Sequence, residues 1–277
     1  MNILEFSLVL WAGAFAAGLV GSLTGLGGGV VIVPLLTLAF GVDIRYAIGA
    51  SLVSVIATSS GAAIAYVREG FTNIRVAMLL EVATTVGASL GALVATAISS
   101  HVIAVIFGLV LLSSVYPSGR TRAPSREGEP DRLATRLRLH GRYPAREGDQ
   151  RYQVRSVPLG FGLMGIAGAL SGLLGIGSGA MKVLAMDQAM HLPFKVSTTT
   201  SNYMIGVTAA ASAGIYLNRG YLDPGLAMPV MLGALLGALA GTRLLGRARS
   251  RALRLLFGAV ILGLGAEMIF YGLTRRM

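Results

Sequence analysis

Long apolar runs alternate with short polar breaks along almost the whole chain. The apolar segments are Leu4–Leu23, Val30–Phe40, Ala47–Val67, Val76–Ile98, Val102–Tyr116, Leu159–Leu174, Ala180–Met190, Val196–Leu217, Leu226–Leu245 and Leu253–Leu273. A helix needs about 20 apolar residues to span a bilayer. The pattern therefore predicts an all-α membrane protein, in which the two short segments, Val30–Phe40 and Ala180–Met190, are half-helices.

The second group of apolar segments repeats the first. A shift of 150 residues, without a gap, places Gly25 on Gly175, Gly27 on Gly177, Gly29 on Gly179, Ser51 on Ser201 and Tyr66 on Tyr216. Shared apolar composition does not align glycines and tyrosines in this way. The repeat predicts two homologous membrane units, residues 1–116 and 158–277, joined by an arginine-rich hydrophilic loop, residues 117–157.

Composition and charge agree with a membrane location. Hydrophobic residues make up 54% of the 277 positions and charged residues 13%, about half the charged share of a soluble domain. The net charge is +11, and ten arginines fall in the central loop. Such loops stay cytoplasmic and attract lipid headgroups. We expect no nucleic-acid partner, because the aromatic residues that stack on bases are few there.

The arginine positions also favour inverted halves. With the central loop in the cytoplasm, an inverted second half places its arginine cluster inside as well, whereas a parallel one places that cluster outside. The members of the cluster are Arg243, Arg247, Arg249, Arg251 and Arg254. Duplicated halves of this kind are common in secondary transporters.

A glycine-rich break precedes each short segment, "TGLGGG" before the first and "LGIGSG" before the second. Matched breaks of this kind indicate a transporter's binding site, because unwound backbone and half-helix N-termini can bind an anion. The candidate residues are Gly25, Gly27, Gly28, Gly29, Gly175, Gly177, Ser178 and Gly179. Tight helix packing is the alternative explanation for these glycines.

Polar side chains near the breaks complete the candidate site. Ser51 in the first half and Thr200, Ser201 and Asn202 in the second could donate hydrogen bonds to an oxyanion. Lys182 would add positive charge, unless it snorkels to an interface or pairs with Asp187.

Two acidic residues, Glu81 and Glu267, also fall in apolar segments. Either could carry a coupled proton or lie at an interface, so neither receives a role. Without cysteine and with scattered histidines, the sequence predicts no metal site and no cofactor.

Three stretches resemble the sulfite exporter TauE/SafE family: "LTGLGGG" with Pro34, "GASLVSVIATSSGAAIAY" and "KVSTTTSNYMIGVTAAASAGIYLNRGYLDP". The resemblance implies a permease with around eight membrane segments that moves sulfite, sulfoacetate or related sulfur-containing anions. Two departures occur in the second half, where Ser178 replaces a glycine and Leu184 stands at the place of Pro34.

The resulting hypothesis is a multi-pass inner-membrane secondary transporter, not an enzyme, that exports a small sulfur-containing anion by alternating access around a midplane site. The alternatives are a membrane-embedded enzyme such as a lipid phosphatase and a small-anion channel. The expected partners are the anion and membrane lipids, and a homo-oligomer remains open.

Overall fold

The computed structural model describes residues 3–24, 28–68, 70–115, 131–145, 148–245 and 250–274. Helices dominate both halves. The first half contains α1 (Ile3–Thr24), α2 (Gly29–Pro34), α3 (Ile44–Arg68), α4 (Ile74–Ala97) and α5 (Ser100–Val115). The second contains α7 (Val157–Leu174), α8 (Gly179–Leu184), α9 (Phe194–Asn218), α10 (Pro224–Leu245) and α11 (Ser250–Thr274).

The two halves share their breaks as well as their helices. Each short helix, α2 or α8, continues into a π-helical stretch, Leu35–Ala39 in the first half and Ala185–Ala189 in the second. Pro34 ends α2, but Leu184 ends α8. Because both copies widen into the same π-helical stretch, the proline is not what produces it. The predicted short segments therefore form as two equivalent helices, each about 11 residues long.

The halves exchange their packing partners. Helix α1 packs against α10 and α7 against α4, while α3 packs against α9 and α5 against α11. Glycines permit the close approach: Gly18 lies against the backbone of Ala234, and its repeat equivalent Gly168 lies against the backbone of Thr84. A side chain at either position would collide with the partner helix. Small residues of this kind are typical of helix contacts inside membranes.

An apolar stripe faces outward on α4. Met78, Val82, Val86 and Leu90 are each more than half exposed, and their spacing of four residues places them on one helix face. Helix α10 carries the same outward stripe in the repeat. Within the described residues, three helical segments are long and apolar enough to cross a membrane, Ile74–Ala97, Val157–Leu174 and Pro224–Gly241, and several shorter apolar helices accompany them. These surfaces are suited to lipid.

Part of the central region is folded, although its composition predicts only a hydrophilic loop. Helix α6 (Arg132–Arg136) is followed by an antiparallel hairpin, β1 (Gly141–Ala145) and β2 (Gly148–Tyr152). Asn73, which caps α4, donates hydrogen bonds to the Leu139 carbonyl (2.9 Å) and to the Tyr152 hydroxyl (2.8 Å). Burial raises the pKa of Tyr152 to about 12, so this hydroxyl stays protonated. The hairpin is thereby fixed to the end of α4.

Candidate functional site

The second glycine break is a genuine interruption of the helix. Gly175, Gly177 and Ser178 have positive φ angles of 68°, 71° and 43°. A right-handed helix cannot continue through such residues, so α7 ends at Leu174 and α8 starts afresh at Gly179. We call residues 175–178 the second elbow. Ser178 is the non-glycine residue of the elbow with a positive φ, and its hydroxyl is buried without a hydrogen-bond partner among the described residues.

We call residues 25–29, from the end of α1 to the first residue of α2, the first elbow. The candidate residues Gly25 and Gly27 lie outside the described residues. Gly28 and Gly29 are described, and Gly28 is the N-cap of α2 with a right-handed φ of −63°. Its carbonyl oxygen accepts the first hydrogen bonds of the new helix, from the amides of Val31 and Ile32.

The two elbows meet at Gly29. A methyl group added there would lie 2.7 Å from the Gly175 carbonyl oxygen and 2.8 Å from the Ser51 hydroxyl oxygen. The Ser51 hydroxyl donates a 2.8 Å hydrogen bond to the same carbonyl, and it is fully buried. The break of one half is therefore joined to the break of the other through α3. This close approach agrees with the packing explanation for Gly29, and it also brings the unwound second elbow to the start of α2.

The polar residues of α9 divide into bonded and unbonded groups. Ser201 donates to the Gly179 carbonyl at 3.1 Å, and the Thr200 hydroxyl accepts a hydrogen bond from the Asn73 amide at 3.1 Å. Asn202 is partly buried, and its side chain has no hydrogen bond within the described part of the chain. Ser201 and Thr200 thus hold the framework around the elbow, whereas the amide of Asn202 is available to a ligand.

Lys182 lies one turn into α8 and is fully buried. Its Nζ donates a 2.6 Å hydrogen bond to the Thr208 hydroxyl, and that hydroxyl donates a 2.8 Å hydrogen bond to Oε1 of Glu81. The lysine therefore neither snorkels to an interface nor, among the described residues, forms an ion pair with Asp187. We call Lys182, Thr208 and Glu81 the buried bridge; it connects α8, α9 and α4.

Sequence reasoning missed the buried bridge, because nothing in the spacing of Glu81 and Lys182 shows that they meet. The repeat carries a usable signal. The equivalent residues in the other half are Ile32, Thr58 and Met231, so both charged members replace apolar residues. A departure of this kind inside an internal repeat marks a position with a separate task.

Metal binding finds no support in the same region. Among the residues that the structure describes, no group of three or more His, Cys, Asp or Glu side chains could hold a metal ion. The described groups at the elbows include the hydroxyls of Ser51, Ser178 and Ser201 and, one turn along α8, the buried Lys182. These groups donate hydrogen bonds, which suits an anion.

The fold and the site define a class: a duplicated helical membrane protein whose two helix breaks converge at a polar centre, as in secondary transporters. A sequence model of the sulfite exporter TauE/SafE family matches residues 10–268, and the chain belongs to this family.

Curated relatives agree with this class. The chain is 26% identical to "Probable membrane transporter protein YunE" of Bacillus subtilis, an alignment that covers 93% of this chain and 95% of the relative. It is 27% identical to a "Probable membrane transporter protein" of Xylella fastidiosa, over 92% and 90% of the two chains. No solved structure gives a significant match. The chain is a membrane transport protein of the TauE/SafE family.

Proposed function

We propose that the protein is a secondary transporter that exports a small sulfur-containing anion, such as sulfite or an organosulfonate, across the inner membrane. The observation that carries this proposal is the contact between the two elbows, where Gly29 lies against the Gly175 carbonyl and Ser51 bridges them. Two unwound segments that meet at a buried point are the arrangement by which transporters bind a substrate between their repeats.

The anion would bind through hydrogen-bond donors beside this contact. Ser178 supplies a buried hydroxyl and Asn202 an amide, and neither has a hydrogen-bond partner within the described part of the chain. Lys182 supplies the positive charge, one turn along α8 from Ser178. A buried polar group without a partner costs free energy. An oxyanion that accepts hydrogen bonds from these groups would remove that cost.

The exchanged packing of the halves supports alternating access. Because α1 packs on α10 and α4 packs on α7, the long helices of each half are joined to the other half and can rock against the elbows. We propose inverted halves and a multi-pass topology, on the strength of the arginine distribution. A membrane potential that is negative inside favours export, by about 2.3 kcal/mol for each charge and each 100 mV.

Anion flux in proteoliposomes tests the proposal. The purified protein should release thiosulfate, sulfite, organosulfonates or small carboxylates with saturation and counterflow, and the preferred anion should contain sulfur. Asn202→Leu should lower the flux by about 10- to 100-fold, because a hydrogen bond to a charged group contributes about 1.5–3 kcal/mol. Asn218→Leu, at the exposed end of the same helix, is the matched control and should leave the flux unchanged.

Several outcomes would contradict the proposal. Flux that never saturates and shows no counterflow would indicate a channel. Flux of all four anion classes at equal rates would contradict a preference for sulfur-containing anions. Wild-type rates in Asn202→Leu would show that this residue does not belong to the site. Both variants should elute as a single symmetric peak in detergent, which separates a transport defect from misfolding.

A further inference from the structure

The buried bridge contains a carboxylate that the proposed anion site does not use. We propose that Glu81 is a proton-binding site, and that its protonation releases Lys182 to bind the anion. This inference rests on the proposed function, because it assigns a second ligand, a proton, to the same transport site. Its first support is the geometry of Lys182, Thr208 and Glu81, in which one hydroxyl holds the cation and the carboxylate together.

The two oxygens of Glu81 have different surroundings. Oε1 accepts hydrogen bonds from Thr208 at 2.8 Å and from Thr85 at 3.3 Å. Oε2 is buried and has no hydrogen-bond partner among the described residues. A negative charge is poorly stabilised on a buried oxygen without a donor. Oε2 is therefore the atom to which a proton can bind without displacing a protein hydrogen bond.

Lys182 is the cation that balances the charge of Glu81. Helix α7, which packs against α4, contains no titratable residue. The other titratable or charged groups on the elements around Glu81 are Arg75, Arg138, His140, Tyr152, Asp187, Lys195, Tyr203 and Tyr216. Of these, Arg75 donates to the Arg138 carbonyl, Lys195 lies over the Phe71 ring, and Tyr216 donates to the Gly172 carbonyl.

Lys182 can change partners over a short distance. Its amide donates to the Ser178 carbonyl, so it stands one turn beyond the second elbow. Side chains on a helix tilt toward the helix N-terminus, which directs this lysine back toward Ser178. While Glu81 is charged, the ammonium group is held in the buried bridge. When Glu81 is protonated, the ammonium group is an uncompensated buried cation, and an anion at the elbow neutralises it.

Proton and anion therefore bind together. Each raises the affinity for the other by the same factor, because coupling between two ligands is reciprocal. The charge balance follows directly: a divalent anion that carries one proton with it keeps one net negative charge and still moves outward with the potential. A monovalent anion with one proton is neutral, and the pH gradient then sets its direction.

Anion-linked proton uptake by the purified protein tests the inference. The probes are thiosulfate and methanesulfonate, which do not themselves titrate near neutral pH. Each binding event should remove about one proton from a weakly buffered solution. Wild-type affinity should weaken by roughly tenfold for each pH unit above the titration midpoint of Glu81, which is the slope for one linked proton.

The variant Glu81→Gln separates this role from a structural one. Glutamine keeps an oxygen for Thr208 but never carries a charge, so Lys182 is free at every pH. Within the neutral pH range in which Lys182 keeps its charge, affinity should be independent of pH, stronger than wild type at the upper end of that range, and without proton uptake. A merely structural glutamate would give weaker binding instead. Glu267→Gln, an exposed glutamate in an apolar helix, is the matched control and should titrate as wild type does.

The outcomes distinguish the two proposals. Anion binding with no proton uptake and the same affinity at every pH would overturn the role of Glu81 while the transport function stands. No binding of any anion to a well-folded wild-type protein would overturn both. Should Glu81→Gln fail to fold, infrared spectra of the wild type provide the measurement: anion addition should increase the protonated-carboxyl band, and an unchanged band would refute the inference.

Discussion

The helices that follow the two elbows share a backbone design, and the elbows differ in the side chains around them. Each is followed by a short helix that widens into a π-helical stretch, and each is flanked by a serine on the next long helix, Ser51 or Ser201. In the second half, Lys182, Thr208 and Glu81 form the buried bridge. At the equivalent positions the other half has Ile32, Thr58 and Met231.

The difference separates the residues that form the framework of the site from the residues that supply its charge. Ile32 is as fully buried as Lys182, so the fold accepts an apolar residue at this position without difficulty. Two opposite charges in a buried network are seldom the most stable choice. The chain has nevertheless placed them, joined through Thr208, at a single elbow, which points to a task of that elbow alone.

The largest effect is expected where the buried bridge is broken from one side. Lys182→Ile, which copies the first half, should lower stability by about 3 kcal/mol, because the partly buried Glu81 loses its cation while its Oε2 stays buried without a donor in the described part of the chain. Adding Glu81→Met, which copies Met231, should restore most of the stability, since an apolar pair can replace a buried ion pair at little cost. Anion flux should stay absent in the double variant. Thermal unfolding in detergent and proteoliposome flux are the two measurements.

A double variant that transports at wild-type rates would show that the charged bridge is dispensable. The two elbows would then be equivalent in function, and the contrast between them would have no bearing on transport.

The next effect concerns the contact between elbows. At Gly29 a methyl group would meet the backbone carbonyl of Gly175 at 2.7 Å, whereas at Gly179 it would meet the flexible end of Ile205 at 3.0 Å. Gly29→Ala should therefore cost about 1–3 kcal/mol, the range for overpacking, and Gly179→Ala clearly less. Thermal unfolding compares the pair. Equal losses would mean that the elbow contact is looser than the structure has it.

Sequence patterns could predict the framework because helix breaks are local. The glycines that end α7, and the shift of 150 residues that places α8 on α2, are written in the order of the residues. The packing of α1 against α10 of the other half cannot be predicted from the order of the residues, because it depends on contacts between distant segments. Composition also does not predict the folded hairpin at the end of α4, since two hydrogen bonds from a single residue, Asn73, hold it there.

Only part of the candidate site could be predicted from the sequence, for the same reason. Lys182 could be singled out, because a charge inside an apolar segment is conspicuous. The sequence does not show which acidic residue lies beside Lys182. Asp187, the nearer one along the chain, is as reasonable a partner as Glu81. Tertiary packing of α4 on α9 makes the selection.

A smaller effect separates the two serines. Ser51 bonds to the opposite elbow, at the Gly175 carbonyl, whereas Ser201 bonds to Gly179 in its own half. Either alanine variant removes the side-chain donor of one buried carbonyl, at about 1–2 kcal/mol. Ser51→Ala should additionally lower the flux several-fold, because it loosens the joint between halves, while Ser201→Ala should affect stability more than flux. The reverse ranking in a flux assay would contradict this assignment.

The smallest effect is expected at Thr58, the repeat equivalent of Thr208. Its hydroxyl donates only to carbonyls of its own helix, Ser54 at 3.0 Å and Val55 at 3.3 Å, within the described residues, and such local bonds contribute little. Thr58→Val should change stability by less than about 0.5 kcal/mol and leave flux within about twofold. Thr208→Val removes the hydroxyl between Lys182 and Glu81, so stability and anion affinity should both change more than in Thr58→Val. If Thr58→Val has the same consequence as Thr208→Val, the two elbows handle charge alike, and the asymmetry of their side chains does not govern the site.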